Sequence, residues 1–316
     1  MDQISQSLRP RRGELLTVVA VLATILFSDV VLRAVEDRLS GNIAHINEID
    51  ELAAEYKAND PESVLFMGNS LTNNGVNAEI ARELLNGNGH AVTTMNKIVP
   101  DATTIWSWAC ITDNQFLDRE VLPATVVLGF GWNQLSDQSR ILPTRLGAFF
   151  CSTGDLLNIR EHKTLTSAEI GEFLTARTLR TYAHRETVRN RVLSLLVPHY
   201  QQMTQENNRR LRNAEDSAGP QAFSYSVLQE LITDLSNKGT QLIIMAMPVR
   251  DLPYEIDDSL ARLLRDEQVP LLDYRHLDGI VEASFLDDMH LDPDGATVLT
   301  TRMANDLVKL ISAADR

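Results

Sequence analysis

Short apolar runs alternating with amphipathic stretches predict an α/β protein, a parallel five-stranded sheet held between two layers of helices. Three observations carry this. The segments SVLFM (63–67), ATVVLGF (124–130) and TQLIIMAMPV (240–249) are continuous apolar runs, the pattern of strands covered on both faces. Helical patterns stand between them, and strand–helix–strand alternation means βαβ units and a three-layer α/β/α domain. The chain has 316 residues, 44% hydrophobic and 23% charged, enough for a sizeable core.

From the N-terminus, Arg9, Arg11 and Arg12 precede an apolar run from residue 15 that extends to Leu32 if Ser28 and Asp29 are tolerated. The length suits a membrane-spanning helix. No small-residue cleavage site follows it cleanly, which favours an uncleaved signal anchor over a removed signal peptide. The basic flank places residues 1–13 as a cytoplasmic tail, 14–34 as the transmembrane anchor and the remainder outside, against the weaker bias of Arg33 and Arg38. Residues 35–60 read as a stalk or first helix, ended by Pro61. Residues 61–316 form the domain.

Within it, SVLFM is the first strand. A helix capped by Asn77 follows, with Ile80, Leu84 and Leu85 on one face and Gly87 and Gly89 stopping it. HAVTTMNKIV (90–99) is the second strand, TTIWSWACITDNQFL (103–117) a helix, and ATVVLGF the third strand. Residues 137–220 fit the alternation poorly. They read as a helical insertion serving as a lid or partner surface, with Arg177, Arg180, Arg185, Arg189 and Arg191 either on a solvated helix face or binding anionic substrate or lipid head groups. A helix over 222–239, the fourth strand over 240–249, a fifth over VPLLDY (269–274) and a closing helix over 294–311 complete the fold.

The net charge of −14 argues against nucleic-acid binding, which needs a surplus of Lys and Arg. Cys110 and Cys151 have neither CxxC nor metal-ligand spacing. They read as a pair outside the cytoplasm or as small buried apolar residues.

Three short stretches carry chemistry. In VLFMGNSLTNNGVN (64–77), a buried strand runs into Gly-Asn-Ser, placing Ser70 at the carboxyl end of a strand, where ligands bind in such sheets. Ser70 is a nucleophile or an ordinary turn serine. FLDDMHLDPDGA (285–296) holds His290 three residues after Asp287. A nucleophilic serine needs a neutral imidazole as base, and that imidazole needs a carboxylate on its other nitrogen. Asp288 and Asp292 are also close, so Asp287 is chosen on spacing. In VVLGFGWNQLSD (126–137) the side-chain amide of Asn133 and the backbone N–H of Gly131 are candidate oxyanion donors.

Together these blocks resemble the SGNH hydrolases, or GDSL esterase/lipase superfamily. Gly68-Asn69-Ser70-Leu71, Gly131-x-Asn133 and Asp287-x-x-His290 match three of its four ordered blocks, over residues 62–312 without most of 137–220. The resemblance implies the flavodoxin-like SGNH fold. It also implies Ser70 as nucleophile, His290 as general base, Asp287 orienting His290, and Asn133 with the Ser70 N–H at the oxyanion. The sequence departs from the pattern twice. Asn69 stands where the family has Asp, and KIVPDATTIW lacks the expected glycine, leaving a backbone N–H near Asp101 or Ala102 to serve. No cofactor and no metal is expected. The resemblance and the anchor together imply a serine esterase or O-acyltransferase, acting on acetyl groups of cell-envelope or secreted polysaccharide through an acyl-enzyme. Integral-membrane acyl-transfer partners are expected beside it. The other readings are a lipase on membrane lipids and a non-catalytic scaffold of an acylation or export machine.

Overall fold

The structure, a computed structural model, describes residues 12–57, 60–200, 202–204, 206, 223–251 and 253–314. The basic residues Arg9 and Arg11, most of the tail 1–13 and the last part of the insertion, 207–220, lie outside the described residues.

The sheet has five parallel strands, β1 (Ser63–Met67), β2 (Thr94–Ile98), β3 (Thr125–Phe130), β4 (Gln241–Ala246) and β5 (Leu271–Asp273), in the order β2-β1-β3-β4-β5. This is the flavodoxin-like order, and the expected α/β/α class is what the chain adopts. β1 and β3 are buried along their whole length, as their unbroken apolar runs require. β2 is shorter than its β-branched stretch, because residues 90–93 lie outside the sheet at its edge.

Before the sheet come α1 (Arg12–Val35) and α2 (Gly41–Ala54). The stretch Gly13–Arg38 is long and apolar enough to cross a membrane. α2 does not stand off as a stalk. Ser40 caps it, and Ile46, Ile49 and Ala53 join the core. α3 (Ser70–Gly75) and α4 (Ala78–Gly87) follow β1, with Asn77 capping α4 as its side-chain oxygen accepts from the N–H groups of Glu79 and Ile80. α5 (Ile105–Thr112) runs on into a π turn over Asp113–Leu117.

The insertion contributes α6 (Pro143–Arg145), α7 (Asp155–His162), α8 (Ser167–Thr178), α9 (Arg180–Ala183) and α10 (Arg185–Leu196). After it come α11 (Ser226–Asn237), α12 (Asp258–Asp266) and α13 (Pro293–Ala314). The start of the insertion meets the helix that follows it. The buried carboxylate of Asp137 accepts hydrogen bonds from the N–H groups of Ser226 and Val227 and so caps α11. The first half of the insertion is core. Leu146, Phe150, Cys151, Leu156, Ile159 and Phe173 are buried with the sheet face that α2, α5, α11 and α12 cover. Cys110 and Cys151 form a disulfide that ties α5 to this segment. The opposite face, with Val64, Phe66, Val127, Ile243 and Met245, is covered by α3, α4 and α13 through Leu71, Ala81, Leu85, Leu299, Met303 and Leu307.

Candidate active site

The strand order reverses about β1, with β2 on one side and β3 on the other. The crevice at the carboxyl ends of β1 and β3 is where a sheet of this topology binds ligands. β1 ends at Met67, and Gly68 keeps the pairing by donating its N–H to Ile98 O at 3.2 Å. A Cβ on Gly68 would lie 2.1 Å from Thr72 Oγ1 and 3.1 Å from Gly129 O, so only glycine lets the strand pass this close. Asn69 then caps α3. Its Oδ1 accepts from Leu71 N–H at 3.0 Å, and its Nδ2 donates to Thr103 O at 3.2 Å and to Gln134 Oε1 at 2.8 Å. A carboxylate could not make the last two bonds. Ser70 is the first residue of α3, where N–H groups have no intrahelical acceptor.

His290 is held from both sides. Its Nε2 lies 2.9 Å from Ser70 Oγ and its Nδ1 lies 2.8 Å from Asp287 Oδ2. Asp287 Oδ1 accepts from the backbone N–H groups of Met289 and His290, both at 2.9 Å. Leu286 N–H donates to His290 O at 2.8 Å, and Phe285 bridges Leu291, which closes the loop. Asp292 pins it to α13 by accepting Gly295 N–H at 2.7 Å, with Pro293 opening the helix. Gly295 has no room for a side chain, since a Cβ would meet Ser284 O at 2.7 Å.

Asp288, the rival carboxylate, faces Arg250 at 3.1 Å and takes Arg250 N–H on its carbonyl. Asp287 is therefore the carboxylate on the imidazole. Partial burial works to raise its pKa, but the hydrogen bonds from His290 and from the two backbone N–H groups outweigh that and hold it below the ordinary carboxylate value. An ionised Asp287 fixes the imidazole with its proton on Nδ1 and its lone pair toward Ser70.

Asn133 is exposed on the loop after β3, its carbonyl held by Ser136 N–H and Oγ. Gly131 does not offer a donor as expected. It is buried, and its N–H already donates to Gln134 Oε1 at 2.8 Å. Its glycine identity serves packing, because a Cβ would come within 2.8 Å of Leu71 Cδ1. In the stretch KIVPDATTIW, which contains no glycine, Ala102 adopts φ 53°, the left-handed region glycine favours, and beyond β3 Trp132 adopts φ 50°. The loop carrying Ala102 is clamped by α2: Asn42 Oδ1 accepts Asp101 N–H at 2.7 Å, and His45 Nε2 accepts Val99 N–H at 3.0 Å. Asn42, His45, Gln134 and Arg250 were not singled out from sequence, and no local pattern marks them. Cys110, Cys151 and Asp155 cluster, but both sulfurs are joined to each other and offer no thiolate to a metal.

No family model and no curated protein matches the sequence. Solved structures do match. One is an acetyl xylan esterase, 14% identical, with 77% of this chain and 98% of that one covered at a TM-score of 0.38. Another is a two-domain esterase active on acetylated mannans, 11% identical, with 84% of this chain and 53% of that one covered, again at a TM-score of 0.38. What this site can do is read from its own geometry.

Proposed function

We propose that the protein is a serine-dependent esterase or O-acyltransferase that uses Ser70, His290 and Asp287. One observation carries the reading. Ser70 Oγ and His290 Nε2 are at hydrogen-bond distance, with His290 Nδ1 on a carboxylate held ionised by three hydrogen bonds. Ser70 Oγ attacks an ester carbonyl as His290 takes its proton. The oxyanion is met by Ser70 N–H and the Asn133 amide. His290 then protonates the departing alcohol, leaving an acyl-serine. Water completes hydrolysis and a sugar hydroxyl completes transfer.

The acyl group is acetyl and the substrate a cell-envelope or secreted polysaccharide. The sequence resemblance supports this, together with an apolar N-terminal helix that would hold the domain at a membrane. In this reading the helix is a signal anchor and the domain lies on the outer face. A disulfide between Cys110 and Cys151 supports that side, since such bonds persist in oxidising compartments.

The test is hydrolysis of a chromogenic acetyl ester by the full chain in detergent, wild type beside Ser70→Ala. Activity that disappears in the variant supports the nucleophile. Turnover equal in the two proteins removes Ser70 from the chemistry. If both stand at background, transfer to a polysaccharide acceptor is measured with the same pair.

A further inference from the structure

The second half of the insertion grips the end of the apolar helix. Asp29, buried near the end of α1, accepts Thr181 N–H at 3.0 Å on Oδ1 and Arg33 Nε at 2.9 Å on Oδ2. Arg33 Nη2 reaches Thr178 O at 3.4 Å. Just beyond, the buried Glu36 carboxylate lies 2.8 Å from the buried His184 ring and 3.6 Å from Arg180. Arg191 donates from Nη1 to Arg38 O and Leu39 O, at 3.3 and 3.1 Å. α9 and α10 are thereby fastened at the point where α1 stops being apolar.

α10 carries an exposed apolar face. Val188, Val192, Leu195 and Leu196 follow the i, i+4, i+7, i+8 spacing of one helix face and are 38, 46, 81 and 73% exposed. A leucine pair this open, at the end of a helix and beside a membrane-length helix, is unlike scattered surface leucines. Arg189 and Arg191 flank this face and are exposed, Arg189 paired with Glu186 and Arg191 held on the Arg38 and Leu39 carbonyls, so their stems border the apolar surface. Three other arginines of the segment are spent inward: Arg177 on Cys151 O, Arg180 on Ala148 O and Glu36, and Arg185 on Tyr182 O.

We propose that α10 lies in the interface of the same membrane that α1 spans, with Val188, Val192, Leu195 and Leu196 in the headgroup–acyl boundary. The occupant of this face is lipid because α10 is fastened to Arg38 and Leu39, directly after the helix that requires lipid. Leu26, Phe27 and Val30 of α1 are 61, 71 and 65% exposed. In-plane helices of this kind bind by buried apolar area together with attraction to anionic headgroups. The proposal rests on reading α1 as an anchor. Its consequence is that two contacts, rather than one tether, fix how the domain faces the bilayer.

Site-specific fluorescence on the full chain tests it. With both native cysteines in a disulfide, Leu195→Cys and, separately, Phe27→Cys each present one thiol for an environment-sensitive label. The labelled proteins are reconstituted in phosphatidylcholine–phosphatidylglycerol vesicles carrying nitroxide lipids. The expected result is loss of emission at both positions, with Leu195 quenched best by a nitroxide near the headgroups. Quenching at Phe27 alone overturns the interfacial helix and leaves the anchor standing. Quenching at neither overturns the anchor and the proposal with it. A Leu195 label that is blue-shifted but untouched by lipid nitroxides reports a second protein chain on this face and overturns the assignment to lipid.

Discussion

In the proposed triad Asp287 is an open carboxylate, with 54% of its side chain exposed against 22% for His290. Water competes for its oxygens, so its hold on the imidazole comes mostly from the two backbone N–H groups that fix it in place. Asp287→Asn favours the wrong imidazole tautomer and should cost roughly a hundredfold or more in kcat, while Asp288→Asn, which loosens Arg250 instead, should cost far less. A larger loss in Asp288→Asn, measured on the same acetyl ester, would reverse the assignment. A second residue makes a purely structural prediction. Thr72 is fully buried between Gly68 and Gly129, and its Oγ1 has no hydrogen-bond partner. Thr72→Val keeps the shape and removes the unpaired hydroxyl, so it should raise stability by roughly 1 kcal/mol in denaturant unfolding. A loss of that size would mean that the hydroxyl is satisfied in solution.

At the scale of elements, α2 is the least expected participant. It packs on the sheet and also holds the Val99–Ala102 loop through Asn42 and His45, more than 50 residues away in sequence. His45 accepts through Nε2, so it works as the neutral ring. Burial lowers its pKa against a smaller upward pull from Glu48, with Lys97 lowering it further and Asp101 opposing. A histidine with a depressed folded-state pKa stabilises fully above its unfolded value near 6.5 and loses that contribution as pH falls through its lower folded value. Thermal unfolding between pH 7 and pH 4 should therefore show wild type losing more stability than His45→Gln, whose amide oxygen still accepts and does not titrate. Parallel curves would remove His45 from the pH response. This clamp marks the limit of what the sequence reveals. SVLFM and ATVVLGF announced their strands because burial on both faces leaves an unbroken apolar run, and Ser70, Asp287 and His290 were legible because each sits in a local turn. The use of Gly131 N–H by Gln134, the donor role of Asn69 and the clamp on Val99–Ala102 depend on loops meeting in space, and a local pattern carries no trace of that.

For the whole molecule, the disulfide, the insertion and the proposed anchor belong to one question, which side of a membrane the domain would occupy. Cys110 and Cys151 are 41 residues apart, and closing a loop of that length lowers the entropy of the unfolded chain enough to stabilise the fold by about 4 kcal/mol in the chain-entropy model. The bond joins α5, which faces the sheet, to the segment that leads through α8 and α9 to the end of α1. Reducing it should loosen the link between the α/β domain and the end of α1 before it disturbs the strands. The pairing was open from sequence because two lone cysteines fit a buried apolar pair equally well, and only the folded positions of α5 and residue 151 bring the sulfurs together. The prediction concerns protein taken from native membranes and alkylated without reductant. Mass spectrometry should find neither cysteine modified, and both modified after reduction under denaturing conditions. Full modification without reductant would place the domain in a reducing compartment. That would reverse the topology proposed for α1 and remove envelope polysaccharide as the substrate, while leaving the Ser70–His290–Asp287 geometry as it stands.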